Sequence, residues 1–156
     1  MPLENPNCPA RDRSGGSDIR ALRLRLDRVD RLSNRFPLGA TFRYAKADPL
    51  VVLMELQPPD GGRITWAVSR DLLFDGMEDA SGMGDIRVWP SVAMGRRVVC
   101  MRLEAYGQSC LLEIDRDRLE KWLLETFDLV HPGTEFCQVD WQDSTAALFE
   151  GKRSQP

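Results

Sequence analysis

The stretch whose reading decides the fold is Asp18–Ser33, DIRALRLRLDRVDRLS. Leu22, Leu24 and Leu26 alternate with Arg23, Arg25 and Asp27, the period-two pattern of a strand with one buried face. Ile19, Leu22, Leu26 and Val29 also fall along one side of a helix. Periodicity alone leaves both open.

Downstream the pattern is plainer. ATFRYA alternates Ala40, Phe42 and Tyr44, and VVLMELQ, from Val51, is an apolar run of strand length. PPDGG, Pro58 to Gly62, is turn chemistry, and Ile64, Trp66 and Val68 then alternate with Thr65 and Ala67, which predicts a β-hairpin. SRDLLFDG predicts one short helical turn, with Ser69 as cap, Asp71 in its first turn and Gly76 ending it. GDIRVWPS, Gly84 to Ser91, opens as a strand that Pro90 is expected to stop. RVVCMRLEA and SCLLEID are further strands, set off by turns at MGRR and YGQ. DRDRLEKWLLETF predicts a helix capped by Asp115, with Leu119, Trp122, Leu123 and Phe127 on its buried side. Asp140–Glu150 is expected to be a second short helix. About seven strands joined by tight turns, then helices, predict an antiparallel α+β fold.

The ends read differently. Residues 1–17 and 151–156 hold little to bury and are expected to be tails around a single domain, 18–150. The chain has 156 residues, 42% hydrophobic and 29% charged, with net charge −3, an ordinary globular balance for one domain. No signal peptide and no membrane-length apolar run is visible, so the expected location is cytoplasmic. Cys8, Cys100, Cys110 and Cys137 lack CxxC or zinc-site spacing. Cys100 and Cys110 lie in apolar runs and read as small buried hydrophobes.

Catalytic chemistry is hard to place. His131, the one histidine, sits in a loop beside Pro132 without a nucleophile motif. SGMGD lacks the rest of a phosphate cradle. Asp71 and Asp85 would serve as a carboxylate pair only if the fold joined them. The inventory points away from an enzyme, and no metal or cofactor is expected. The arginines are a separate matter. Arg20, Arg23, Arg25, Arg28, Arg31 and Arg35 crowd the first segment, and Arg43–Tyr44 follow. A basic, aromatic-bearing sheet face is one way to bind single-stranded nucleic acid. The interleaved Asp18, Asp27 and Asp30 favour a solvated or partner-binding face instead.

Four ordered elements carry a resemblance: Arg43-Tyr44…Asp48-Pro49, Thr65-Trp66…Arg70-Asp71-Leu72-Leu73…Gly76, Gly84–Pro90, and His131-Pro132-Gly133-Thr134-Glu135. Together they resemble the SsgA-like family, the sporulation and cell division proteins of filamentous actinomycetes. His131, where proline is common in the family, and the longer N-terminal tail depart from its pattern. The resemblance implies a Whirly-like architecture of curved antiparallel sheets, which makes the first segment a strand, and a homotrimer. It implies no enzyme and no cofactor, but an adaptor at division septa whose partners are FtsZ and other family members. The alternative that the Whirly-like fold carries is single-stranded nucleic-acid binding. Arg70, Asp71, Asp85, Arg87 and Trp89, all within the matched elements, are the candidate partner-binding residues. For Trp89 two roles stand side by side: covering a sheet edge that Pro90 keeps from pairing, or anchoring a partner together with Arg87.

Overall fold

The computed structural model describes residues 19–82 and 84–135. The expected tails, the helix over Asp140–Glu150, Cys8 and Cys137 fall outside the described residues. The ambiguous leucine–arginine run resolves as a strand. β1 is Leu22–Val29, with Leu24 and Leu26 buried and Arg23 and Arg25 exposed. The helical alternative fails because a helix would have buried Leu22, Leu26 and Val29 together, whereas the sheet buries every second residue.

Six further strands follow: β2 (Arg35–Arg43), β3 (Val51–Gln57), β4 (Ile64–Ser69), β5 (Ile86–Ala93), β6 (Arg96–Ala105) and β7 (Gln108–Asp115). Helix α1 (Arg70–Asp75) joins β4 to β5, and α2 (Arg116–Leu129) follows β7. The strand order is β4-β3-β2-β1-β7-β6-β5, and every pairing is antiparallel. The turns use the expected chemistry. Met94–Gly95 and Tyr106–Gly107 put both central residues at positive φ, which matches the twist of the strands they join.

The sheet curls into a half-barrel, and its weakest seam is in the middle. β1 meets β7 over only three residue pairs, Asp27–Val29 against Leu111–Glu113. By contrast, β1 and β2 share eight pairs. Where the halves diverge, α2 covers the inner face with Leu119, Trp122, Leu123 and Phe127. Trp122 packs 6.1 Å from the Phe42 ring, and its indole N–H donates to the Arg20 carbonyl at 2.9 Å. Burying each large apolar side chain contributes about 1.5–3 kcal/mol. Asp115 caps α2 by accepting from the Arg118 amide, and Ser69 caps α1 by accepting from Leu72, as the sequence predicts.

Two proline positions sit inside strands. Pro37 lies in the first half of β2, where β1 pairs on one side and β3, which reaches only to Gly39, does not yet pair on the other. Pro90 was expected to end β5, yet the strand runs on to Ala93. The hydrogen-bond phase explains this. Glu104 donates to the Asp85 carbonyl, which makes the pair 85/104 a bonded one, so 87/102 and 89/100 are bonded as well. The groups of Ile86, Val88, Pro90 and Val92 therefore point to the free side, where a missing N–H costs nothing.

Gly76 also differs from expectation. It closes α1 at φ −67, with no need of positive φ. A Cβ there would stand 2.4 Å from Cγ1 of Val88, so the glycine makes room for α1 to rest on β5. α1 thus begins at one sheet edge, β4, and ends against the other.

Candidate functional site

Three of the motifs that carry the resemblance converge on Arg70, which is 1% exposed. Its Nη1 donates to the Tyr44 hydroxyl at 2.9 Å, to the Thr126 carbonyl at 3.1 Å and to the Val130 carbonyl at 2.8 Å. Nη2 donates to Glu135 at 2.9 Å. The guanidinium carbon lies 4.4 Å from the Phe127 ring centroid and 5.1 Å from that of Tyr44. Tyr44 in turn donates to the Pro49 carbonyl at 2.9 Å. Arg70 therefore ties the first residue of α1 to the RY…DP loop, to the PGTE loop and to the carbonyl end of α2. The Thr126 carbonyl also accepts from the Val130 amide at 2.9 Å, which caps α2, and a cation beside both carbonyls meets the negative end of the helix dipole.

This placement corrects the reading of Arg70 as a docking residue: it has no surface to offer, and its contacts are structural. The electrostatics agree. Burial, partly offset by Arg70, pushes the Tyr44 hydroxyl up to about 12, so it stays protonated and donates. For Glu135, burial raises the carboxyl, but bonds from backbone amides and from Arg70 outweigh it and hold the group below its usual value.

The remaining candidates divide. Asp85, Arg87 and Trp89 alternate along one side of β5, opposite the buried Val88. They face away from the helices, on the outer side of the sheet. Arg87 stands across from Arg102 and Trp89 across from Cys100, with the Arg102 guanidinium 5.6 Å over the Trp89 ring. Trp89 is half-buried, and Arg87 and Asp85 are exposed. Asp71 is exposed in the first turn of α1, and no hydrogen bond or common partner joins it to Asp85 among the described residues. A working carboxylate pair is not assembled by these contacts.

The edge beside Trp89 is guarded. Ser81 and Val88 exchange backbone hydrogen bonds of 2.8 and 2.9 Å, which cover the free side of β5 at its centre, and Pro90 has no donor there. Both roles weighed for Trp89 thus have a physical basis: the edge is blocked, and the indole and two arginines remain on the open face.

Several residues of these sites were missed in the sequence. Tyr44, Phe127 and Glu135 complete the Arg70 network, and Arg102 completes the Trp89 cluster. Motif spacing hinted at Tyr44 and Glu135, the helix pattern placed Phe127 only on the buried side of α2, and Arg102 needs the β5–β6 register. Of the two cysteines read as small buried hydrophobes, Cys100 is buried and Cys110 is half-buried. His131 is exposed in its loop, and burial pushes the Cys100 and Cys110 thiols up, as suits packed hydrophobes. No described helix is long and apolar enough to cross a membrane.

The family described as "Streptomyces sporulation and cell division protein, SsgA" matches residues 38–135. The sporulation-specific cell division protein SsgB of Streptomyces coelicolor is 38% identical over 119 residues, 76% of this chain and 85% of that protein. A solved structure from work on SsgB, in which mutations correlate with longitudinal cell division during sporulation of Streptomyces coelicolor, superposes with a TM-score of 0.75 at 34% identity. It covers 79% of this chain and 96% of the other. The SsgA-like sporulation-specific cell division protein of Thermobifida fusca superposes at 0.76 with 26% identity, over 86% and 97% of the two chains. With half-barrel, helices and motifs in agreement, the chain belongs to the SsgA family of sporulation and cell division proteins.

Proposed function

We propose that the protein is a non-enzymatic adaptor of sporulation-specific cell division, working in the cytoplasm at septa by protein–protein contact. FtsZ and other family members are the partners proposed. The observation that carries the reading is the Trp89–Arg102–Arg87 cluster. An aromatic and two arginines sit together on an uncovered sheet face, and these residue types dominate binding hot spots. Trp89→Ala and Arg87→Ala, in protein whose thermal unfolding matches the parent, are expected to weaken pull-down of purified FtsZ or a family partner by at least about tenfold. Septal bands of a fluorescent fusion should fade in parallel. Unchanged affinity and unchanged bands in both variants would remove the cluster from the mechanism.

The trimeric state is part of the same proposal, and β4 is what supports it. The backbone amide of Arg70 donates to the Leu50 carbonyl, which sets the phase so that Thr65 and Ala67 turn their backbone groups away from β3. Unlike β5, this edge has no proline and no bridge among the described residues, and Ile64 is 49% exposed. Ala67→Pro removes only an outward N–H, and Thr65→Lys places a charge on the edge. Both are expected to shift the mass measured by light scattering from oligomer to monomer. An oligomer that survives both is assembled elsewhere.

A further inference from the structure

The outer sheet face has a second feature, at the end away from Trp89. The register brings Arg23 and Arg25 of β1 beside Thr41 and Gly39 of β2, and these beside Glu55 and Gln57 of β3. With Arg43 and Arg63 they line an open cleft of about 450 Å³. Arg23, Arg25, Arg43 and Arg63 are all exposed. Among the described residues, Arg23, Arg25 and Arg43 have no acidic partner, while Arg63 reaches Glu55 only at 3.8 Å. Four cations and one carboxylate thus share one concavity in a chain of net charge −3.

The fold gains nothing from this arrangement. Like charges on neighbouring positions of one sheet face repel, and Glu55 is the single described carboxylate in the cleft to offset four of them. The floor is polar: Gln57 donates to Thr41 at 3.4 Å and to Glu55 at 3.1 Å, and it lies over Gly39, where a Cβ would come within 2.9 Å of its Oε1. A ligand that relieves the cleft must carry anionic groups and accept forked hydrogen bonds from guanidinium groups.

We propose that the cleft is a docking site for an acidic peptide segment of a partner protein, held by carboxylates on Arg23, Arg25, Arg43 and Arg63. The chemistry favours a peptide over a nucleic-acid strand. Single strands are held by bases stacked on aromatic rings along a basic groove, and no aromatic residue lines this cleft among the described residues. Glu55 stands in its middle, where a continuous row of phosphates would meet it, whereas carboxylates spaced along a peptide pass on either side. The site is independent of the Trp89 cluster and of any one division partner.

The test uses the full chain and a labelled octapeptide of alternating glutamate and glycine, read by fluorescence anisotropy. Controls are the same peptide with glutamine for glutamate and a short oligothymidylate. The acidic peptide is expected to bind, with affinity falling as salt rises, and the glutamine peptide to bind at least about tenfold more weakly. Arg25→Gln and Arg43→Gln should each weaken binding roughly tenfold, and Glu55→Gln should tighten it about threefold. These surface changes leave the core intact, which unchanged thermal unfolding verifies. Equal binding of the two peptides, or no effect of the arginine substitutions, overturns the proposal. Tighter binding of the oligothymidylate overturns it in favour of nucleic acid. If the arginine substitutions instead change the oligomeric mass, the cleft faces another subunit and the proposal falls.

Discussion

Replacing Arg70 with methionine is expected to destabilise the fold by about 3–5 kcal/mol, the usual cost of removing one member of a buried ion pair. For a domain of this size that is a fall of roughly 6–20 °C in the midpoint of thermal unfolding. Three losses add. The Glu135 carboxylate, 4% exposed, is left without its cation. The Val130 carbonyl loses its guanidinium donor, as does that of Thr126, which keeps its bond from the Val130 amide. The planar contact between Phe127 and Tyr44 is emptied. Lysine at position 70 recovers less than half, since a compact ammonium cannot lie between two rings and also serve acceptors in several directions. A second change, Glu135→Gln on the methionine background, removes the stranded charge and should return about 1–2 kcal/mol.

The pH dependence has a definite sign. Glu135 has a lowered folded value, so its share of the stability is present above the unfolded value near 4.5 and is lost as pH falls through the folded one. The parent should therefore lose stability on acidification more steeply than Glu135→Gln does. Were Arg70→Met to unfold within about 1 kcal/mol of the parent, the keystone role would be wrong. A partner-binding role for Arg70 is separable from this one. Below its own unfolding transition the folded methionine variant should match the parent in the pull-down with the proposed partner.

How much of this was legible follows from where the information resides. The strands and α2 were, because burial alternates locally and each pattern is complete within its own segment. Residues 18–33 were not, since an arginine-flanked leucine run satisfies both periods and only pairing to β2 and β7 decides between them. The extent of β5 was misread for a related reason: whether Pro90 ends a strand depends on which side of it pairs, and that side is fixed by β6 and by Ser81. Arg70 misled most. A charged residue in the first turn of a short helix reads as solvated, and its burial is created by Tyr44, Val130 and Glu135, 26, 60 and 65 residues away. The motifs that identify the family were legible as words. Two of them, with Arg70 of a third, describe a buried joint, and only GDIRVWP reaches the open face.

That open face rests on a glycine, and Gly82→Ala is expected to cost about 2–4 kcal/mol, while Gly84→Ala, two residues on, costs roughly 1 kcal/mol. Both glycines have positive φ, +110 and +76, so backbone strain alone would not separate them. Space does. A Cβ on Gly82 would stand 2.3 Å from the Ile86 carbonyl oxygen and 3.1 Å from the Arg87 Cα, both backbone atoms of β5 that cannot swing aside. A Cβ on Gly84 meets nothing within 4 Å. Relief of the clash in Gly82→Ala requires the segment to lift off β5, which breaks the paired bonds between Ser81 and Val88. Hydrogen exchange reads this directly. The Val88 amide should exchange much faster in Gly82→Ala, while the Val99 and Met101 amides of neighbouring β6 keep their protection. With the bridge gone, Val88 and Val92 present an open strand edge beside Trp89, and concentration-dependent association should follow. Equal costs for the two substitutions, or an undisturbed Val88 amide, would mean that the close approach at Gly82 is not what closes the edge. The paired bonds between Ser81 and Val88 would then hold without the glycine, and they and Pro90, which lacks a donor, would guard β5 together.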